Sequence, residues 1–259
     1  MKLRHVLSGL TFFLGAVCLL AVDAKDQRKK LVLLVAEPEY DTAKSLATFA
    51  SAFLEKDFRV VVVDGPPEAG GSPFNHLDEI TDADVLLVSV RRHTPPTAQM
   101  AVIRRYVAAG KPVVGIRTAC HAFARGAKQA LPPGCADWPE WDAQVIGGHY
   151  TNHYGHGPIT HITAAAASDP ILRDVAVPFD SAAWFYKVSP LQPGAKPLLT
   201  GQIPGQPTEP IAWTFTRADG GQTFFTSLGT IDDFKSPSFQ QLLRNGINWA
   251  AGKSQAIAR

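Results

Sequence analysis

The stretch Lys111-Pro112-Val113-Val114-Gly115-Ile116-Arg117-Thr118-Ala119-Cys120-His121 decides the fold of this chain. Residues 112–116 are apolar without alternation, which is typical of a strand buried on both faces of a parallel sheet. The polar residues that follow stand where such a strand ends. Because ligands of these sheets bind at the carboxyl ends of the strands, Arg117, Cys120 and His121 are predicted to lie at a site. The structural alternative is that they only cap a sharp turn.

Apolar periodicity on either side of this stretch predicts alternating strands and helices. The predicted strands are 31–36, 59–63, 85–90 and 112–116, and the predicted helices between them are 42–56 and 97–109. Such alternation indicates right-handed βαβ units and a parallel sheet. Further along, the sequence predicts short strands at 159–164 and 184–188, a hairpin of 211–216 with 222–227, and a closing helix over 239–251. We therefore expect an α/β protein, a flavodoxin-like three-layer sandwich with a mostly parallel central sheet.

Residues 1–24 are typical of a secretory signal peptide. Lys2 and Arg4 precede an apolar run over 10–22, and Val22-Asp23-Ala24 fits a small-residue cleavage site. The run is shorter than the roughly 20 apolar residues that a membrane-spanning helix needs. We expect an exported protein, periplasmic or secreted, with one domain over residues 25–259 and no membrane contact after cleavage.

Charge and cysteine content limit the partners. The 25 basic and 23 acidic residues nearly balance and form no basic face, so nucleic acid is not an expected partner. Beyond the leader only Cys120 and Cys135 remain. An oxidising compartment permits a disulfide between them, whereas a free Cys120 would be a nucleophile or a ligand. The sequence leaves both alternatives and the oligomeric state open.

The turn after residues 112–116 resembles the nucleophile elbow of the class I glutamine amidotransferase-like fold. Where that fold has Gly-Ile-Cys, this chain has Gly115-Ile116-Arg117, and Cys120 stands three residues later, so glutaminase chemistry is not expected. The chain is more similar to the trehalose-utilisation (ThuA-like) branch of the fold. The blocks that carry this resemblance are Trp138-Pro139-Glu140-Trp141, Gly147-Gly148-His149-Tyr150, His153-Tyr154-Gly155, Tyr186-Lys187-Val188-Ser189-Pro190-Leu191, Pro210-Ile211-Ala212-Trp213, Thr226-Ser227-Leu228-Gly229 and Asn245-Gly246-Ile247-Asn248-Trp249-Ala250. The resemblance implies a carbohydrate-associated protein without fixing one reaction.

Histidines gather around the elbow and the glycine-rich segment 126–157. Imidazoles near a strand end move protons near neutral pH or bind a divalent metal. We expect His121 and His149 to move protons. A metal-assisted variant would place zinc or another divalent ion on His149 and His153, although no zinc signature is present. The structural alternative is that histidines such as His153 and His156 only form hydrogen bonds within this loop.

Charged side chains follow three of the predicted strands. Arg91 and Arg92 follow the third strand and Arg117 the fourth, so all three are expected to face one crevice and to hold substrate oxygens. Glu37 follows the first strand and is a candidate acid or base on position alone. Glu39 follows the same strand, and either glutamate could pair with these arginines, so an internal ion pair competes with substrate binding.

Aromatic residues in the segment 126–157 predict contact with a sugar ring. Trp141 is expected to stack on such a ring, although core packing explains it equally well. Cys120 and His153 complete the predicted substrate-binding set. The leading hypothesis is an exported ThuA-like protein that binds and transforms a small-molecule carbohydrate, either a sugar or a keto-sugar derivative. The alternatives are a noncatalytic carbohydrate-binding or accessory module, a metal-assisted hydrolase, and a thiol hydrolase using Cys120 with His121.

Overall fold

The computed structural model describes residues 26–66 and 70–253. The predicted signal peptide lies outside the described residues. Within them, no helix has both the length and the hydropathy that crossing a bilayer requires.

Strands and helices alternate in the first half of the described chain, and strands dominate the second half. The elements are β1 (Lys29–Ala36), α1 (Thr42–Phe53), β2 (Phe58–Asp64), β3 (Val85–Val90), α2 (Thr97–Ala108), β4 (Val113–Ile116), β5 (Asn152–His153), β6 (Thr160–Ala164), β7 (Phe179–Ser181), β8 (Tyr186–Lys187), β9 (Ala195–Gln202), β10 (Glu209–Thr216), β11 (Gln222–Thr226) and α3 (Pro237–Ala250). Two short helical turns also matter for the site. Arg117–His121 forms a 3-10 turn directly after β4, and Asp142–Ile146 forms a π-helical turn.

One nine-stranded sheet forms the centre of the molecule, in the order β2-β1-β3-β4-β11-β10-β9-β6-β7. The strands from β2 to β11 in this order pair in parallel, and those from β11 to β7 pair antiparallel. The predicted α/β class with a parallel centre is confirmed, as is the hairpin, which is formed by β10 and β11. The antiparallel extension through β9 was not predicted.

The helices cover both faces of the sheet, which makes three layers. Alternate residues of β1 divide between the faces, as a strand covered on both sides requires. Leu31 and Leu33 pack in one apolar cluster with side chains of α1 and α3, whereas Val32 and Leu34 pack in a second cluster with α2. This arrangement explains why the sequence of β1 is apolar at every position from Leu31 onward.

The segment 126–157 is a packed excursion that returns to the end of β4. Trp141 is fully buried, and its ring meets those of Phe123 and Trp138 edge to face, with centroid distances of 4.8 and 5.3 Å. The indole N–H of Trp141 donates to the carbonyl of Ala119 at 2.7 Å. The excursion is therefore anchored beneath the turn after β4. Of the predicted strand over 184–188 only β8 forms, and it pairs with β5.

Candidate functional site

The carboxyl ends of β1, β3, β4 and β11 lie side by side, and the turns that follow them form one polar edge of the sheet. Two arginines at this edge, Arg92 and Arg117, have left-handed backbones with φ of 47° and 49°. L-residues rarely adopt this region, and such strain clusters at functional sites. The edge also meets the returning excursion, which brings Asp142 and His149 to it.

A cavity of about 430 Å³ lies between the turn after β4 and the excursion, and we name it the dyad cavity. Among the residues lining it are Arg92, His121, Asp142, His149 and Tyr150. The sequence predicted three of these, Arg92, His121 and His149, as site residues. Asp142 and Tyr150 were not among the predicted site residues.

Asp142 and His149 form a carboxylate–imidazole pair at this cavity. His149 Nδ1 contacts Asp142 Oδ2, and the other carboxylate oxygen accepts from the backbone N–H of Ala143 at 2.7 Å. The side chain of Asp142 is 9% exposed and that of His149 is 63% exposed. Since Nδ1 is engaged, Nε2 of His149 is left for a ligand. A buried carboxylate that orients an accessible imidazole is the arrangement of a general acid–base.

The π-helical turn produces this pairing. It starts at Asp142, and Gly147 ends it with φ of 81°, a backbone that favours glycine. A side chain on Gly147 would also collide with Phe215, since a Cβ there would lie 2.5 Å from that ring. The tight turn carries the chain back over Asp142, so His149 reaches its carboxylate.

His121 lines the dyad cavity and is 7% exposed. Its ring packs on Tyr150, with a centroid distance of 4.7 Å, and its Nδ1 lies 3.3 Å from Cys120 Sγ. Burial lowers the pKa of His121 to about 3, and the positive charges of Arg92, Arg91 and Arg117 act in the same direction. His121 is therefore neutral near pH 7, where it can share a hydrogen bond but not act as a strong base.

The side chains of Arg91 and Arg92 have different surroundings although the two residues are adjacent in sequence. Arg91 binds Glu39 with 2.9 Å between Nη2 and Oε1, so the ion pair weighed from the sequence forms at this residue. Arg92 lines the dyad cavity, and its Nη1 lies 3.5 Å from the carbonyl oxygen of Ala124. Arg92 is thus the arginine positioned to meet a ligand.

Arg117 is 1% exposed, and protein groups surround its guanidinium. It donates to the carbonyls of Trp184 and Ser227 at 2.8 and 2.9 Å and to the hydroxyl of Tyr40 at 3.2 Å. The ring centroids of Tyr40 and Tyr186 lie 4.8 and 4.1 Å from its central carbon. Arg117 therefore connects the turn after β4 to the segments that carry Trp184 and Ser227, and these hydrogen bonds are all made to protein groups.

Glu37 is also enclosed by protein donors. Its carboxylate accepts from the backbone N–H groups of Glu39, Tyr40 and Thr42 and from the hydroxyl of Thr42, all at 2.7 to 3.0 Å. These contacts fix the turn between β1 and α1. A carboxylate with this many donors supports the turn and is a poor acid or base for a ligand.

Cys120 and Cys135 are free thiols, so the disulfide alternative is wrong. Cys120 is fully buried, and burial raises the pKa of its thiol far above the ordinary value. The thiolate is the nucleophilic form of cysteine. A thiol hydrolase using Cys120 is therefore disfavoured, and the residue packs behind His121.

The remaining predicted residues lie elsewhere. Trp141 is in the core beneath the turn, where no sugar ring reaches it. His153 is half-buried, accepts the backbone N–H of Gly155 at 2.9 Å and packs its ring 4.6 Å from that of Trp184. Trp184 is a residue that the sequence did not single out for the site.

A metal ligand set does not assemble from the predicted histidines. Across residues 26–66 and 70–253, no three or more His, Cys, Asp or Glu side chains converge in an arrangement that would hold an ion.

Comparisons with known proteins identify the family of the chain. The profile of the ThuA family, described as trehalose utilisation, matches residues 32–250. A search of the curated proteins finds no match.

Solved structures match the fold over most of the chain. A ThuA-like protein from Bacteroides uniformis has a TM-score of 0.63 at 16% identity, over 90% of this chain and 95% of that one. A ThuA-like protein from Parabacteroides merdae has a TM-score of 0.64 at 16% identity, over 89% and 92%. A glutamine amidotransferase from Thermotoga maritima has a TM-score of 0.52 at 10% identity, over 86% and 98%. At these identities the likeness concerns the fold alone.

Proposed function

Because the chain belongs to the ThuA (trehalose utilisation) family, we propose that it is an enzyme that binds and transforms a keto-sugar derivative in the dyad cavity. The family supports a role connected with carbohydrate. The observation that carries the catalytic part is the buried Asp142 beside the accessible His149. The proposal includes export from the cytoplasm, for which the sequence of residues 1–24 is the support.

The proposed reaction is proton abstraction from the carbon next to a ketone. Nε2 of His149 takes this proton while the carbon–hydrogen electron pair moves toward the carbonyl, whose oxygen gains the negative charge of an enolate. Asp142 stabilises the imidazolium that forms, as a buried carboxylate does beside a catalytic histidine. The proton then returns to the former carbonyl carbon, while the proton of the neighbouring hydroxyl moves to the former carbonyl oxygen. The ketone thereby moves to the adjacent carbon, and the sugar is isomerised.

Arg92 and His121 are proposed to act on the oxygen. The charge of Arg92 stabilises a developing oxyanion, and the neutral imidazole of His121 can donate a hydrogen bond without first losing a charge. His121 and His149, which were both predicted to move protons, thus have different proposed roles. His149 is the base, whereas His121, with its pKa held at about 3 by burial, is an electrophilic partner.

Exchange of substrate hydrogen for deuterium tests the proposal without knowledge of the product. We expect the purified protein to catalyse exchange at the carbon next to the ketone of a 3-keto-glucoside in D₂O, followed by NMR. Replacing the general base, His149→Gln, should slow exchange by about 10²- to 10⁴-fold. Asp142→Asn should slow it as well while leaving the Kd of the keto-sugar nearly unchanged, since Asp142 acts through His149.

The chain offers a matched control pair. His161 and Asp180 form an exposed imidazole–carboxylate contact of 2.7 Å between β6 and β7, away from the dyad cavity. His161→Gln should leave exchange unchanged. Keto-sugar binding without any exchange would contradict the enzyme proposal and favour a noncatalytic binding module.

A further inference from the structure

The strand β2 forms one outer edge of the nine-stranded sheet, since among the described residues it pairs with β1 alone. Residues 60–63 of this strand are four consecutive valines. Proteins usually protect such an edge with a charged residue, a proline or a bulge. The valines contain no such residue, their register against β1 is regular, and Val62 is 46% exposed. An apolar strand therefore lies open at this edge.

The contacts of β2 show which of its backbone groups face outward. The N–H of Gly65 donates to the carbonyl of Val35 on β1 at 3.0 Å. Because backbone groups alternate in direction along a strand, those of residues 63, 61 and 59 also face β1. The residues between them direct their N–H and C=O groups away from the sheet, and these are Phe58, Val60, Val62 and Asp64.

Both ends of this outward row are engaged within the chain. The N–H of Phe58 donates to the carbonyl of Leu54 at 2.9 Å, and the C=O of Asp64 accepts from the N–H of Asn75 at 2.8 Å. No protein hydrogen bond reaches the outward groups of Val60 and Val62 from residues 26–66 or 70–253. Two N–H and two C=O groups in the middle of β2 are thus left for a partner strand.

We propose that β2 is a dimer interface, at which a second copy of the chain adds its own β2 in the antiparallel direction. A two-fold arrangement that uses all four outward groups has one register. In it Val60 is hydrogen-bonded to Val62 of the second copy, and Val61 lies opposite Val61 of that copy. The two sheets then form one continuous sheet across the dimer.

The side chains and charges of β2 suit a second copy. Val60 and Val62 point to one face of the sheet and Val61 to the other, so in this register each of them meets a valine. Such β-branched pairs across strands stabilise a sheet. Arg59, which is 43% exposed, stands near the start of β2, and Asp64 stands at its end. Antiparallel pairing therefore brings opposite charges together at both ends of the interface.

The other edge of the sheet is a poor alternative partner. β7 has three residues, and the charged Asp180 is at its centre, which protects an edge in the usual way. Pairing of β2 with β7 would also extend into an open array of molecules, whereas pairing of β2 with β2 closes as a dimer. The geometry thus favours the symmetric pair.

The oligomeric state tests this interface. Sedimentation velocity of the purified protein between about 1 and 100 µM should show a species with twice the mass of one chain. Val62→Lys should raise the dimer Kd at least about tenfold, since its charge would lie against Val60 of the second copy. Ile159→Lys is the matched control, because Ile159 is 43% exposed and lies next to β6, and this variant should dimerise like the wild type. Equal circular dichroism spectra show that both variants are folded.

Cysteine crosslinking tests the register independently. In the proposed pair the two copies of Val61 are not hydrogen-bonded to each other, so their Cα atoms lie about 4.5 Å apart, within the range of a disulfide. Val61→Cys should therefore oxidise to a covalent dimer, with Cys135→Ser added to remove the half-buried native thiol. The two copies of Val62 are offset along the strands, beyond the roughly 7 Å that a disulfide spans. Val62→Cys should crosslink little, although Val62 is more exposed than Val61.

Two results would overturn the proposal. One is a protein that stays monomeric up to about 100 µM, which would mean that solvent or another segment covers β2, or a dimer that Val62→Lys leaves unchanged. The other is crosslinking of Val62→Cys without crosslinking of Val61→Cys, which would contradict the two-fold register. The interface does not depend on the proposed reaction, since no residue of β2 lines the dyad cavity. Absence of deuterium exchange would leave the dimer standing, and a monomer that catalyses exchange would overturn the dimer alone.

Discussion

The sequence resemblance aligns Arg117 with the nucleophile of glutamine amidotransferase-like folds, but in the structure its side chain donates to backbone carbonyls. With φ of 49° it retains the strained elbow backbone, whose cost is on the order of 1–3 kcal/mol. Its guanidinium satisfies the carbonyls of Trp184 and Ser227. The elbow thus joins the ends of β4 and β11 to the loop before β8, and the imidazole that we propose as the base, that of His149, comes from the excursion instead.

His121 should make the folded state sensitive to acid. Its pKa is about 3 in the folded protein and about 6.5 when unfolded, so the unfolded state binds the extra proton first as the pH falls. Stability is therefore lost below pH 6.5. Between pH 7 and pH 5 this group alone should lower the free energy of unfolding by about 2 kcal/mol.

Urea unfolding at the two pH values measures this effect. His121→Gln, which cannot take up the proton, should lose about 2 kcal/mol less than the wild type between pH 7 and pH 5. His161→Gln is the control, since His161 is exposed and its removal should leave the wild-type loss almost unchanged. If the wild type and His121→Gln lost the same free energy of unfolding between pH 7 and pH 5, the buried, neutral state of His121 would be contradicted.

The sequence predicted which residues lie near one another at this edge of the sheet better than it predicted the contacts of each side chain. Arg92 and His121 lie in the turns after β3 and β4, and both line the dyad cavity, as expected for residues at the carboxyl ends of neighbouring parallel strands. The sequence did not predict the contact between Asp142 and His149, because this contact depends on a π-helical turn that has no characteristic periodicity in sequence. Glu37 and Arg117 were expected to face a ligand, but both bind protein groups. The partners of Glu37 are N–H groups of the turn that follows it, whereas the carbonyls that Arg117 binds are far from it in sequence.

At the scale of elements, the strands with continuous apolar runs were predictable and β9 was not. β1 and β3 are almost entirely buried, so burial fixes their composition. β9 carries Pro197 and Gly201 and is partly exposed, and neither residue favours a strand. Gly201 is needed there for a tertiary reason, since a Cβ would lie 2.7 Å from Thr160 on neighbouring β6. The sequence of β9 is therefore determined by tertiary contacts, which local sequence patterns do not reveal.

Gly246 shows the same conflict between local propensity and tertiary packing, here within α3, and its substitution tests which of the two is stronger. Alanine should favour the helix by about 1 kcal/mol. However, a Cβ at this position would lie 2.4 Å from the ring of Phe224 on β11, which is fully buried. We expect Gly246→Ala to lower the free energy of unfolding by about 1–3 kcal/mol, because overpacking outweighs propensity. Asn248→Ala, at a less buried position of the same helix, should be neutral or slightly stabilising.

Urea denaturation with the far-ultraviolet circular dichroism signal of the helices distinguishes the two effects. A more stable Gly246→Ala protein would mean that α3 can move away from β11 at little cost. That result would contradict the close helix–sheet contact on which the position of β11, and with it Ser227 at the end of that strand, depends.

For the molecule as a whole, one continuous sheet connects the two apolar clusters. The clusters lie on opposite faces, yet both contain residues of β1, β3, β4, β10 and β11. Neither face can therefore lose its packing without disturbing strands that the other face uses. We expect the parallel and antiparallel parts of the sheet to unfold as one cooperative unit.

Thiol labelling reports on this cooperativity from inside the molecule. Cys120 is fully buried at the end of β4, with Sγ 3.4 Å from the carbonyl of Arg117, whereas Cys135 is only half-buried. Cys135 should react in the native protein. Cys120 should react only from the globally unfolded state, so that its labelling accelerates with urea along the same slope as equilibrium unfolding. Peptide mass spectrometry assigns each label. Fast labelling of Cys120 with little dependence on urea would mean instead that the turn carrying Arg117 and His121 opens by itself, and that the candidate site is not part of the cooperative core.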